Sequence, residues 1–430
     1  MRAWVPILLL LAGCVAPAAE LDAARGTLLL DGAPAGETAR WSGGPLTGPR
    51  DLAMFANDLA CWAEAPRCEE PPVECASANC ERRAFAVGEG AGSVTLTVRW
   101  PTMPALLDAW IEDASGAVVA VAPHRYIGPF GLAARLDAPA PGEYVAVVAA
   151  RAGRADYEAA LRVEPPRADA EPRPLLPDLV TLPPTDLTLE TPDYVGVSYF
   201  AFPAPGVREA METAGRRGCR VDESAEYGAA RCLRFSNAVG NLGEGPLDVS
   251  LRPGELAFTQ HVHWSDGRTE AHAAGAAEWH ATHAHWHNAA SNRFTVHPYD
   301  AATGERGPAL NEGRKGGICF ADVGLVDVGL PNTWPADQTG WNCFEPRRDT
   351  HEWRMGITPG WYDLYARILS DQYVDITGVP DGTYALCSVT NGDGTLLEAD
   401  ITNNEACTAF RLKGDRVVLL DPLPYHTMRE

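Results

Sequence analysis

Lysine is nearly missing from this chain. Of 35 Lys+Arg residues only two are lysines, Lys315 and Lys413. Chemistry that needs a side-chain amine must use one of these. Positive charge is short as well: 57 Asp+Glu leave a formal net charge of -22 and a pI near 4.9. Binding a phosphate backbone needs a positive surface, so this balance argues against nucleic acid as a partner. A negative field instead favours the approach of cations, such as amines or metal ions. Long apolar runs are absent after the first residues, so no later stretch reads as a membrane span. Extended helical periodicity is scarce too. What remains is globular: 430 residues, 46% hydrophobic and 21% charged, enough for two or three domains.

The apolar run from Val5 to Leu11 follows a positive start at Arg2. It is too short to span a bilayer and fits a signal-peptide core. It ends in Leu11-Ala12-Gly13-Cys14, which resembles the bacterial lipoprotein box. That resemblance implies a signal peptide over 1–13, lipidation of Cys14 and a tether over 14–25. The protein is then expected outside the cytoplasm, anchored by lipid to a bacterial membrane, at the outer membrane or cell surface rather than the inner membrane. Ten further cysteines remain of the 11, an even number in an oxidising compartment, so disulfides are expected. Cys61, Cys68, Cys75 and Cys80 form one group, and Cys219, Cys232, Cys319, Cys343, Cys387 and Cys407 the other.

The fold class reads as mainly β. Val94–Val98, Ala117–Val121 and Tyr144–Val148 are strand-like runs with turn signals such as Pro141-Gly142. They predict a β-sandwich-like accessory domain over 26–163. Residues 164–177 read EPPRADAEPRPLLP, a proline-rich linker, implying few shared core contacts and a second half able to work alone. Residues 178–430 form the second, β-rich domain. Leu179–Leu189, Leu233–Asn241, Tyr384–Val389 and Ala406–Leu412 read as strands, and Trp361–Leu369 as a short helix.

Eight of the 11 histidines lie between His261 and His297. His283, His285 and His287 alternate with other residues, and alternate side chains of a strand share one face. Three imidazoles on one face can converge on copper, zinc, iron or nickel. His261 and His263 repeat the alternation, either as hydrogen-bond partners behind metal ligands or as polar strand residues.

Five motifs in order then add to this reading. Glu278-Trp279-His280-Ala281-Thr282-His283-Ala284-His285-Trp286-His287 resembles the copper motif of the lysyl oxidase family. Gly313-Arg314-Lys315-Gly316-Gly317-Ile318-Cys319, Pro359-Gly360-Trp361-Tyr362-Asp363-Leu364-Tyr365, Val374-Asp375-Ile376-Thr377 and Thr402-Asn403-Asn404 resemble its later motifs. The resemblance covers about 178–412 and implies a lysyl-oxidase-like catalytic domain. It implies Cu2+ on His283, His285 and His287, and lysine tyrosylquinone built from Lys315 and Tyr365. The activity implied is oxidative deamination of primary amines, small or as exposed lysine side chains, to aldehydes, with dioxygen consumed and hydrogen peroxide and ammonia released. Arginine is no nucleophile, so the scarce Lys315 suits the role. Asp363 and His297 are the candidate bases. Pairs Cys219–Cys232, Cys319–Cys343 and Cys387–Cys407 follow from proximity and the resemblance. Thr282 and Trp361 stand where the family has cysteines, and the interval between Lys315 and Tyr365 is long, with Leu330–Gly340 as an insertion lining or covering the site. The competing readings are a copper- or zinc-binding protein in which no quinone matures, and a zinc hydrolase.

Overall fold

The structure is a computed structural model. It describes residues 20–22, 27–29, 38–49, 72–76, 79–100, 105–123, 131–167, 171–190, 217–219, 228–280, 285–289, 291–313, 315–336, 346–347, 350–369 and 371–420. Among these residues every regular element is a strand. No helix among them is long and apolar enough to cross a membrane. Cys14 and the signal segment lie outside the described residues, as do Cys61, Cys68, His124, His283 and Cys343.

The first domain is organised by one strand, Gly142–Glu164. Its first part pairs with Cys80–Val87 and Ala105–Asp113, and its second with Thr38–Thr47 and Ser93–Arg99. Gly153, at φ 67°, lies where the two parts meet. This left-handed conformation carries no steric penalty at glycine. Val94, Leu96, Val98, Leu107, Ile111, Val148 and Leu161 from both sets of strands bury one core. The strands expected in this half are present, joined through Gly142–Glu164.

The second half stacks three sheets. The first orders His285–Asn288, Thr269–His280, Ala257–Trp264, Leu247–Leu251 and Trp353–Ile357. The second orders Leu179–Thr188, Cys232–Asn241, Trp361–Tyr365 and Gly324–Leu325. The third contains Asn292–Pro298, Gly382–Thr390 and Glu405–Lys413. Val249, Phe258, Phe320 and Trp361 share one core, and Phe235, Phe294, Leu386 and Phe410 another. Disulfides join Cys75 to Cys80, Cys219 to Cys232 and Cys387 to Cys407. Cys319 is disulfide-bonded as well.

Three expectations need correction. Trp361–Tyr365 is a strand, not the start of a helix, with burial alternating residue by residue. That period of two turns Trp361, Asp363 and Tyr365 to one buried face. The proline-rich linker is also partly structured. Pro174–Leu175 pairs with Trp264 and His263, and Leu176 O accepts from the backbone N–H groups of Glu244 and Gly245. Proline loses a donor but keeps its acceptor, and Pro177 O accepts from Ala399 N–H. Finally, the domains share a core: Ala133 and Ala160 of the first bury with Leu179, Leu325, Val328 and Trp361 of the second.

Candidate active site

The histidine motif folds as a hairpin. Glu278 pairs with His287, Trp279 with Trp286 and His280 with His285. Alternation puts His285 and His287 on one face, 8% and 0% exposed. Trp286 between them instead meets Trp279 and Trp353, at 5.5 and 5.9 Å between ring centroids. The Nε2 atoms of His285 and His287 lie 2.9 Å apart. That distance suits an N–H···N hydrogen bond. It equally suits two nitrogens each about 2.0–2.1 Å from one ion at roughly a right angle. A buried pair of imidazoles converging on one point suits copper, zinc, iron or nickel alike. His283 lies outside the described residues.

Facing this pair is the Trp361–Tyr365 strand, held on Cys232–Asn241 with Asp363 opposite Val239 and Tyr365 opposite Asn237. The Tyr365 hydroxyl accepts from Cys319 N–H at 2.6 Å and donates to Cys319 O at 3.3 Å. Its ring stands edge-on to His287, 6.4 Å between centroids. Lys315 places Nζ 4.7 Å from the centroid of the Tyr365 ring and is 3% exposed. The chain after Lys315 runs tightly against the histidine strand, where Ile318 bridges Asn288. A Cβ on Gly317 would meet His287 Cβ at 2.9 Å, so glycine permits this approach.

Burial dominates the electrostatics. It pulls the Lys315 pKa down to about 7, opposed by the charges of Asp371, Asp363 and Glu278. Half of the amine is then neutral near neutral pH. Burial raises Asp363 well above the carboxylate range; backbone hydrogen bonds from Leu364 and Ala321 and the charge of Lys315 oppose this, and Asp322 adds to it. Asp363 Oδ2 is buried with no hydrogen-bond partner among the described residues. Burial also pushes the Tyr365 phenol well up, with Asp363 adding to it. Asp322 is itself held by Thr358, whose N–H and hydroxyl donate at 2.7 and 2.6 Å.

The structure thus gathers His285, His287, Lys315, Asp363 and Tyr365. His297 is elsewhere. Its ring nitrogens engage Gly307 O and Thr295 Oγ1, both at 2.9 Å. His261 and His263 engage Ser250 and Asp248 of the neighbouring strand, which makes them polar partners within the sheet. Asp371 and Asp322 were not singled out in the sequence. Asp371 adopts φ 62°, a conformation no local motif announces.

Fold and site together define an all-β protein with a buried lysine–tyrosine pair beside two histidines. Residues 254–421 match the family model described as Lysyl oxidase. The chain is 28% identical over 191 residues to lysyl oxidase homolog 3B of Danio rerio, covering 44% of this chain and 19% of that protein. It is 28% identical over 195 residues to the human lysyl oxidase homolog 3, covering 44% and 20%. With the human lysyl oxidase homolog 1 it shares 33% over 183 residues, covering 42% and 25%. The second half of the chain is thus similar to the lysyl oxidase family. It spans about a fifth to a quarter of the length of these relatives.

Proposed function

We propose that the protein is a copper-dependent amine oxidase whose cofactor is built from Lys315 and Tyr365. The observation that carries this reading is the buried Lys315 amine, 4.7 Å from the Tyr365 ring centroid. Copper with dioxygen supplies the oxidation of the tyrosine ring, and the resulting lysine tyrosylquinone supplies an electron sink. His283, His285 and His287 hold the metal. Cys319 pins the Tyr365 hydroxyl through its backbone, which keeps the ring in reach of the lysine. Lys315, neutral in a large fraction near pH 7, supplies the amine that joins the ring. Asp363 is the base that accepts the substrate's α-proton at Oδ2. A carboxyl with a raised pKa is matched to proton transfer near neutral pH. Asp363 ranks ahead of His297, whose nitrogens are both engaged.

The substrate is a primary amine, either small or the side chain of an exposed lysine. Together with water and dioxygen it gives aldehyde, ammonia and hydrogen peroxide. The acidic chain favours such cations. Lipidated Cys14 anchors the protein outside the cytoplasm. Phenylhydrazine titration and the visible spectrum of aerated, copper-loaded protein test the reading. A coloured adduct is expected, lost in Lys315→Arg and in Tyr365→Phe but kept in Tyr362→Phe. Wild-type protein that binds copper yet gives no adduct overturns it and leaves a metal-binding protein or a hydrolase.

A further inference from the structure

We infer that the first domain is a working part of the Lys315–Tyr365 centre, because it clamps the segment that holds the tyrosine strand. The segment is 319–334. Its only regular structure is the two-residue strand Gly324–Leu325, too short to fix itself. On one side it is tied to the tyrosine strand. Leu325 pairs with Trp361, Val323 N–H donates to Tyr362 O at 2.8 Å, and Val326 N–H donates to Gly360 O at 3.0 Å. Trp361 Nε1 donates to Trp334 O at 2.8 Å. At its start, Cys319 holds the Tyr365 hydroxyl.

The other side rests on the first domain. Gly131 lies so close that a Cβ there would stand 2.7 Å from Leu325 Cγ. Arg99 donates to Val326 O at 3.2 Å, and Thr97 Oγ1 accepts from Gly329 N–H at 3.1 Å. Glu164 Oε1 accepts from Asn332 N–H at 3.0 Å. Arg135 lies over the Trp334 ring, 4.3 Å from its centroid. One stretch of chain therefore touches the sandwich on one flank and the cofactor tyrosine's strand on the other. Ordering such a segment costs conformational entropy, and the first domain supplies contacts that offset it. Its part is to position Tyr365 against Lys315.

The consequence for cofactor yield rests on the function proposed above; the mechanical coupling does not. Three variants of the full chain test both. Gly131→Leu wedges the interface at Leu325, and Gly131→Leu/Leu325→Ala returns the space. Arg135→Ala removes the contact with Trp334 from a peripheral position. Two quantities are read: amide hydrogen exchange in 319–325 and 361–365, and phenylhydrazine adduct per bound copper. Gly131→Leu should speed exchange in both segments. It should lower adduct per copper roughly tenfold to a hundredfold, the scale of a small misplacement of reacting groups. The double variant should recover both quantities, and Arg135→Ala should shift them in the same direction by less. Unchanged exchange in Gly131→Leu and Arg135→Ala overturns the clamp. So does faster exchange with a wild-type adduct yield, which would uncouple the interface from the centre. If Gly131→Leu does not fold, Arg135→Ala decides alone. If wild-type protein forms no adduct, the functional reading fails and the exchange data still judge the clamp.

Discussion

The two halves of the molecule bury charge in different ways. In the first domain Asp108 and Arg151 are both buried and meet at 3.0 and 2.7 Å through two nitrogens. Asp108 also accepts from Val73 N–H at 2.8 Å. Removing one partner of such a buried pair leaves a charge without its counter-charge, which is strongly destabilising. In the second half Asp363 is equally buried, yet Oδ2 has no hydrogen-bond partner among the described residues. Burial raises its pKa and lowers that of Lys315. A group whose pKa burial has displaced is a poor strut, and its proton affinity can be matched to proton transfer or nucleophilic attack near neutral pH. The contrast separates ionisable residues that serve the fold from those that serve the centre.

The sharpest way to break the contrast is to remove one acid from each half. Asp363→Asn should lower kcat/KM for a primary amine by roughly 10²–10⁴, the range for loss of a positioned base. Its melting temperature should stay near wild type, because the amide matches the carboxyl in size and removes a charge that burial already disfavours. His297→Ala serves as the kinetic control and should leave kcat/KM unchanged. If the two variants lose activity equally, Asp363 is not the base. Asp108→Ala should behave oppositely. It takes the carboxylate away from buried Arg151 and should cost about 3–5 kcal/mol of stability in denaturant unfolding, while folded protein keeps its copper content. A stability loss in Asp363→Asn as large as in Asp108→Ala would erase the distinction.

A smaller effect comes from pH. Lys315 titrates near 7 in the folded chain, against 10.5 for an ordinary lysine. Below its folded pKa the neutral fraction falls about tenfold per pH unit. The initial rate of cofactor formation after copper addition should therefore rise with pH up to about 7 and then level. The linked stability has the same sign. Between about pH 7 and 10.5 the unfolded chain binds the extra proton, so the uncross-linked protein gains stability as pH rises through that window. A formation rate independent of pH from 5 to 8 would put a different step, or a different amine, in control.

The placing of Lys315 with Tyr365 and Asp363 was implied by the resemblance of their motifs to the lysyl oxidase family, whereas other parts follow short-range rules. Alternation placed His285 and His287 on one face, and the scarcity of lysine drew attention to Lys315. The mainly β character showed in the strand-like runs. The reading of Trp361–Leu369 as a helix failed because a short apolar run with aromatics suits either period. Its pairing with Cys232–Asn241 is a long-range fact. The linker misled for a related reason: prolines signal missing donors, whereas Leu176 and Pro177 act through their carbonyls. Asp371, Asp322 and the domain interface leave no local pattern, since each acts on residues far away in the chain.

The central claim is a covalent bond between two residues, so peptide mass mapping tests it most directly. Aerated, copper-loaded protein should yield the peptide bearing Lys315 joined to the peptide bearing Tyr365. Copper-free protein and Lys315→Arg should yield the two peptides separately. Unmodified, separate peptides from a copper-loaded preparation that still oxidises a primary amine would contradict the account.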